Sequence, residues 1–249
     1  MIAVNKRYWR AFMNEVVKYH NDMNSVAFRG FGKVELDLFF AICSKMKDEG
    51  KNEVEFTFHQ IRSLSQFKKT SKEAFVTKLK STYEKLLALI FKEEKGSRTT
   101  YFTLFDEFTI DTAEETISIT IKEKYFYILN GLTANFTRFE LAEFVSLKSS
   151  YSKGLYRLLK QFRATGYYEV PMDDFRRLLD VPKSYRMSDI NKTILTPALT
   201  ELSDIFPELQ CEKIKRAVPG SRGISVVKLI FSFKPTSKKD SILLYDYTK

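Results

Sequence analysis

The chain has 249 residues, 44% of them hydrophobic, enough to bury one large or two ordinary globular cores. Its 41 Lys and Arg against 31 Asp and Glu leave a net charge of +10, which favours a polyanionic partner over an acidic small molecule. No apolar run is long enough to span a bilayer, no signal peptide is evident, and Cys43 and Cys211 make no disulfide framework, so the sequence reads as a cytoplasmic protein without a membrane partner.

From Lys33 the stretch LDLFFAICSKM has helical spacing and is expected to stop at Gly50, after which EVEFTF at 53–58 alternates like a strand. A short helix follows over 59–64. The next helix is announced by Thr70 with Glu73 three residues on, a capping box, and runs through FVTKLKSTYEKLLAL. LIFKEE and RTTYFTLF then form a hairpin turning at Lys95-Gly96-Ser97, and ISITI at 117–121 alternates as a strand that closes the first domain. A boundary is expected at 131–135.

The second half repeats the order: a helix over 151–162, a strand over 167–170, a short helix over 172–179, then a helix from Ser188 and a hairpin turning at Pro219-Gly220-Ser221. Both turns contain Gly-Ser-Arg, which pairs the two hairpins as counterparts. A trihelical core with an attached β-hairpin is a winged helix. The predicted fold is therefore α+β with two tandem winged-helix domains, over 1–135 and 136–234, and a flexible tail over 235–249. The second half is the more basic: residues 1–135 hold 21 bases and 18 acids, residues 136–234 hold 17 and 11.

The helix opened by Ser188, an N-cap residue type, separates two faces. Ile190, Ile194, Leu195, Ala198 and Leu202 fall on one side, Asp189, Lys192, Thr193, Thr196 and Thr200 on the other. A face with one lysine, three threonines and a single acid near its start is unlike an ordinary solvated helix surface. Pro197 in its third turn should cost about 3 kcal/mol in an ideal interior. Lys192 is suited to guanine O6/N7, and Thr193 and Thr196 to a base edge or thymine methyl. Arg186 and Ser188 sit where phosphate is approached, and Asn191, angled toward the core side, is ambiguous. In the first half the matching helix shows Phe75, Val76, Leu79, Tyr83 and Leu86 on its buried side and Thr77, Lys78, Ser81 and Lys85 on its other side. Arg98 and Lys95 in one hairpin, and Lys213, Lys215, Arg216 and Arg222 in the other, are placed to touch phosphate.

VVKYHNDMNSVAF at 16–28, LYRLLKQFRATGYYEV at 155–170 and FRRLLDVPKSYRMSDINKTILTPAL at 175–199 resemble the plasmid replication initiators of the Rep_3 type, also called theta-type initiator proteins. The resemblance covers 16–234. It implies two winged-helix domains that bind iterons, the direct repeats of a plasmid origin, leading to local melting and loading of the replicative helicase with the host initiator. It also implies a homodimer through the first domain that represses its own promoter, a monomer that initiates, and base reading by the helix at 188–203, where the internal proline is a family trait. Dimer contacts that used the strand around 117–121 or the apolar face near Phe39 would compete with the two domains reaching adjacent grooves, so dimerisation and iteron binding are expected to oppose each other.

The chain has two histidines, His20 and His59, no metal-ligand spacing, no phosphate-binding loop and no cofactor motif, so no catalytic or metal site is expected. His20 is assigned structural hydrogen bonds and His59 a helix start. The alternatives are a tandem winged-helix transcription regulator without a replication role and, in another class, a nickase or recombinase acting through one of the thirteen tyrosines.

Overall fold

The computed structural model describes residues 15–47, 53–68, 71–217 and 223–236, with no side chains described at 93–95. Helix α1 (Lys33–Met46) buries almost every residue, Phe39 and Phe40 in the core and also the charged Glu35 and Asp37, each of which meets a lysine. Strand β1 (Val16–His20) precedes it and β2 (Glu53–Thr57) follows. Helix α2 (Phe58–Leu64) begins in a reciprocal cap: Gln60 N–H donates to Thr57 Oγ1 and Thr57 N–H to Gln60 Oε1, at 3.2 and 2.8 Å. Helix α3 (Lys72–Leu87) is capped by Ser71, whose Oγ accepts from Ala74 N–H at 3.1 Å. That places the cap one residue after the expected Thr70, which lies outside the described residues.

Strands β3 (Ile90–Lys95) and β4 (Arg98–Thr103) form a two-stranded sheet turning through Gly96 at φ +59°. Strands β5 (Phe105–Asp111) and β6 (Thr116–Ile121) make a second hairpin, and β6 pairs with β2, giving the sheet order β2-β6-β5. Strand β7 (Phe136–Glu140) pairs antiparallel with β1, from Val16 opposite Glu140 to His20 opposite Phe136. It leads into α4 (Leu141–Ser146) and α5 (Ser150–Gln161).

The chain divides into two compact units between Lys153 and Gly154, within α5, rather than at 135/136. The shift has a physical cause. Strand β7 completes a sheet with β1, and Lys153, fully buried, pairs with Asp37 of α1 at 2.6 Å, so the segment 136–153 is held by the first unit.

In the second unit β8 (Tyr167–Pro171), α6 (Met172–Leu178), α7 (187–202), β9 (Gln210–Ala217) and β10 (Ile224–Ser232) follow in turn. The sheet order is β8-β10-β9. Gly166, at φ +67°, leads into β8, and a Cβ there would lie 2.3 Å from the Phe233 carbonyl oxygen, so only glycine fits. The turn at 219–221, Arg222 and the tail beyond Thr236 lie outside the described residues.

The repeated order is present, with one correction. In each unit the strand after the long helix pairs with the second strand of a later hairpin: β2 with β6, and β8 with β10. The counterpart of β9–β10 is thus β5–β6, not the Gly96-Ser97-Arg98 hairpin. The shared Gly-Ser-Arg matched turns of unlike topology, and β3–β4 is an insertion between α3 and the first wing.

Candidate nucleic-acid interface

Helix α7 is capped two residues earlier than Ser188 predicts, at Arg186, whose backbone N–H donates to Asp189 Oδ2 at 2.8 Å. Its core face is as the spacing predicts: Ile190, Ile194 and Leu202 are fully buried, Leu195 and Ala198 nearly so. Lys192, Thr193, Thr196 and Thr200 are exposed, as are Arg186 and Ser188. Thr200 Oγ1 donates back to the Thr196 carbonyl at 2.9 Å, which leaves the Thr193 and Thr196 hydroxyls as the better candidates for a base edge.

The proline is accommodated by a change of helix type. Over Asn191–Leu195 the helix widens to a π turn, with Thr196 N–H donating to the Asn191 carbonyl five residues back. The next α-helical segment opens at Thr196 with Pro197 in its first turn, where a missing N–H is tolerated. Such a turn was not legible in the sequence, although a proline amid helical spacing was its signal. Asn191, half-buried, has its Oδ1 buried without a hydrogen-bond partner, beside the exposed Lys192. The amide oxygen is turned inward, so Asn191 lies between the core and polar faces, as its helical angle predicts.

Sequence reasoning missed Arg176. Its Nη2 donates to the Tyr185 carbonyl at 2.9 Å and so fixes the loop that carries Lys183, Ser184 and Arg186 into α7. On the wing, Lys213, Lys215 and Arg216 of β9 are exposed, while Lys228 of β10 pairs with Glu169 at 2.5 Å. The structure thus gives one unit an exposed Lys/Thr helix face, a basic loop before it and a basic strand after it.

The first unit is built differently. Glu35, nearly buried on α1, accepts from both Lys78 and Lys85, at 3.1 and 2.8 Å, and Lys85 also donates to the Gly30 carbonyl at 2.7 Å. Burial alone would raise the Glu35 carboxyl. The hydrogen bonds from Lys85, its own backbone N–H and Lys78 outweigh burial and hold it below the ordinary carboxylate range. Ser81 Oγ donates to the Lys78 carbonyl, and Thr82, which the spacing left unassigned, is buried. Of the predicted set Thr77, Lys78, Ser81 and Lys85, only Thr77 is fully exposed; Val76, read as core, is half-buried. The exposed stripe of α3 is Glu73, Thr77, Lys80, Glu84 and Leu87. The reason is geometric: a helix packed against two elements hides two faces, and spacing alone identified one. Arg98 is exposed on the inserted hairpin, not on the wing.

Two further expectations resolve here. His20 Nδ1 accepts from the Asp22 N–H at 3.3 Å and its ring meets Tyr127 edge-on, and His59 sits in the first turn of α2, both structural positions. The suggested dimer contacts do not survive: Ile117, Ile119, Ile121 and Phe39 are at most 1% exposed, consumed by the unit's own core.

Known proteins match both halves. Residues 16–160 match the family described as initiator replication protein, WH1, and residues 171–233 that described as initiator Rep protein, WH2. The chain is 37% identical over 211 residues to the probable replication protein rep of Bifidobacterium longum (strain NCC 2705), across 83% of this chain and 71% of that protein. Among solved structures, that of Pi initiator protein in complex with iteron DNA superposes with a TM-score of 0.64 at 14% identity, covering 89% of this chain and 97% of the other, a likeness of fold. With a winged helix in each unit and both family halves matched in order, the chain belongs to the initiator replication protein family, with its two winged-helix domains in tandem.

Proposed function

We propose that this initiator binds direct repeats in double-stranded DNA at a plasmid origin, with the second unit reading bases and the first contributing self-association. The observation that carries the reading is the exposed Lys192, Thr193 and Thr196 face of α7, flanked by Arg186 and by Lys213, Lys215 and Arg216. Donors on the helix suit base edges in the major groove, and cations on the strand suit phosphate.

In this reading the protein is not an enzyme. It acts in the cytoplasm as a monomer that bends and helps melt the origin and engages the host initiator and replicative helicase, and as a homodimer it represses its own promoter. The test is footprinting on the DNA flanking the coding region. Protection of direct repeats, weakened by Lys192→Ala, supports the proposal. Protection of a lone palindromic operator with no repeats favours a transcription regulator, and a covalent protein–DNA adduct on supercoiled plasmid favours tyrosine chemistry.

A further inference from the structure

We propose that Arg176 is a positioning residue for DNA binding: by holding the Tyr185 carbonyl it aims the turn at 182–185, and Lys183 with it, at the phosphate backbone beside the bases that α7 meets. The inference rests on the reading that the second unit reads bases through α7. It adds to that reading a contact and the residue that sets it.

The loop from α6 to α7 closes around Arg176. The chain leaves α6 through Asp180 at φ +51°, and the Val181 N–H donates back to the Arg176 carbonyl at 2.9 Å. Val181 is buried. Beyond it the Tyr185 N–H donates to the Pro182 carbonyl at 3.0 Å, which makes 182–185 a β-turn with Lys183 and Ser184 exposed at its tip. One peptide then joins turn to helix. Its carbonyl, that of Tyr185, accepts from Arg176 Nη2 at 2.9 Å, and its N–H, that of Arg186, donates to Asp189 Oδ2 at 2.8 Å. A planar group with both polar ends taken, one by α6 and one by the first turn of α7, has a fixed orientation. Lys183 stands two residues before Tyr185.

The first unit shows that this clamp is not a requirement of the fold. Arg62 holds the place in α2 that Arg176 holds in α6: its carbonyl accepts the Phe67 N–H at 3.0 Å, just after Gln66 at φ +50°. The two helix exits match residue for residue. Yet the Arg62 guanidinium lies over the Phe75 ring of α3, 5.2 Å from its centre, where Arg176 reaches a loop carbonyl. The same arginine packs on a helix in one unit and shapes the loop in the unit that carries the exposed Lys/Thr face.

Charge identifies what the turn meets. Arg177 pairs with Asp174 at 2.9 Å, whereas Arg176, Lys183 and Arg186 meet no carboxylate among the described residues. A lysine and a serine on a fixed turn suit phosphate oxygens, the one supplying charge and the other a hydroxyl donor. Ordering the turn before DNA arrives also removes a cost that a loose lysine would incur on binding.

The test is the salt dependence of duplex binding by the full chain, on the protected repeat and on random duplex, with the thermal midpoint measured alongside. Lys183→Ala should flatten the slope of log affinity against log salt by about one unit on both duplexes, the loss of one phosphate contact. Arg176 is half-buried and lies outside the Met172, Phe175 and Leu178 core of α6, so Arg176→Met should fold. It should flatten the slope by the same amount, and the double variant by no more than either single one, because both substitutions remove one contact. Effects that add in the double variant overturn the positioning role and give Arg176 a phosphate of its own. An Arg176→Met protein with a lowered midpoint and the wild-type slope reduces the clamp to a stabilising bond. Lys183→Ala, on an exposed turn, decides the contact by itself, since an unaltered slope overturns it. Lys192→Ala, run in parallel, separates this inference from the reading beneath it. If Lys192→Ala relaxes base preference while Lys183→Ala leaves the slope unaltered, only the turn contact falls; if Lys192→Ala changes no base preference, reading by α7 falls and the inference with it.

Discussion

Hairpin β5–β6 in the first unit and hairpin β9–β10 in the second hold the same place in sheets of the same order, yet their charges are opposite. Residues 105–121 contain five acids and no base, whereas residues 210–232 contain five bases and one acid. The helices differ in the same sense: α7 shows Lys192 and three threonines to solvent, while α3 shows Glu73, Thr77, Lys80 and Glu84 and turns Lys78 and Lys85 onto Glu35. Duplex DNA presents about one negative charge per 1.7 Å of axis, so an acidic wing is pushed from the groove in which a basic wing settles. A winged-helix topology therefore positions a helix and a hairpin without deciding whether they read DNA. Side-chain chemistry decides that, separately in each unit.

The largest expected effect isolates the first unit. Asp37→Ala takes the carboxylate counter-charge from Lys153, which is at 0% exposure and keeps the Phe144 carbonyl and ring, and should destabilise this unit by about 3–5 kcal/mol, read by denaturant unfolding. Burial lifts the Asp37 carboxyl from 3.8 to about 6, against the pull of Lys153. The folded state therefore holds this proton more tightly than the unfolded chain. The resulting stability is complete below about pH 3.9 and is lost as pH rises through 6, a slope that Asp37→Asn should remove. If Asp37→Ala abolishes base discrimination while α7 remains folded, the units do not divide the work as the charges indicate.

Next in size is the pair Lys192→Ala and Thr77→Ala, equivalent positions by topology. The first should weaken cognate binding by about 1–3 kcal/mol and relax one base position, and the second should change neither. Equal losses in a gel-shift series would erase the contrast between α7 and α3. Smaller still is the wing comparison. Arg216→Ala should lower affinity for cognate and random DNA alike and flatten the salt dependence by about one unit of slope, whereas Glu114→Lys should steepen it if the first wing lies near phosphate. A Glu114→Lys protein with an unaltered slope would place that wing away from DNA altogether.

Much of this was legible in the sequence, and the misses share a cause. The element order, the strand at 117–121 and the core stripe of α7 follow from local spacing, because each answers to a single face of apolar residues. What spacing missed depends on partners distant in sequence. The pairing of β2 with β6, which identifies the true wing, spans about sixty residues, and the contacts of Glu35 with Lys78 and Lys85 span 43 and 50. Strand β5 went unread because FDEFTID is acid-rich and only weakly alternating. The division at 153/154 was hidden in the same way, since only the β1–β7 pairing and the Asp37–Lys153 pair assign 136–153 to the first unit.

Pro197 supports the subtlest prediction. In a regular α-helix its ring would press on the Thr193 carbonyl and leave that oxygen without its amide donor, at a cost of about 3 kcal/mol. The π turn over Asn191–Leu195 removes most of that conflict by widening the helix just before the ring. Pro197→Ala should therefore change stability by only about 1 kcal/mol or less, well short of the interior figure. Its effect should appear in base preference. With an N–H restored at position 197, the helix can close into regular α geometry, which re-phases Thr196 against Lys192 along the groove. On a random duplex library, preference at the bases met by Thr196 should shift, while the position set by Lys192 should hold. An unchanged preference together with a gain near 3 kcal/mol would show that the wide turn is a tolerated strain with no part in reading DNA.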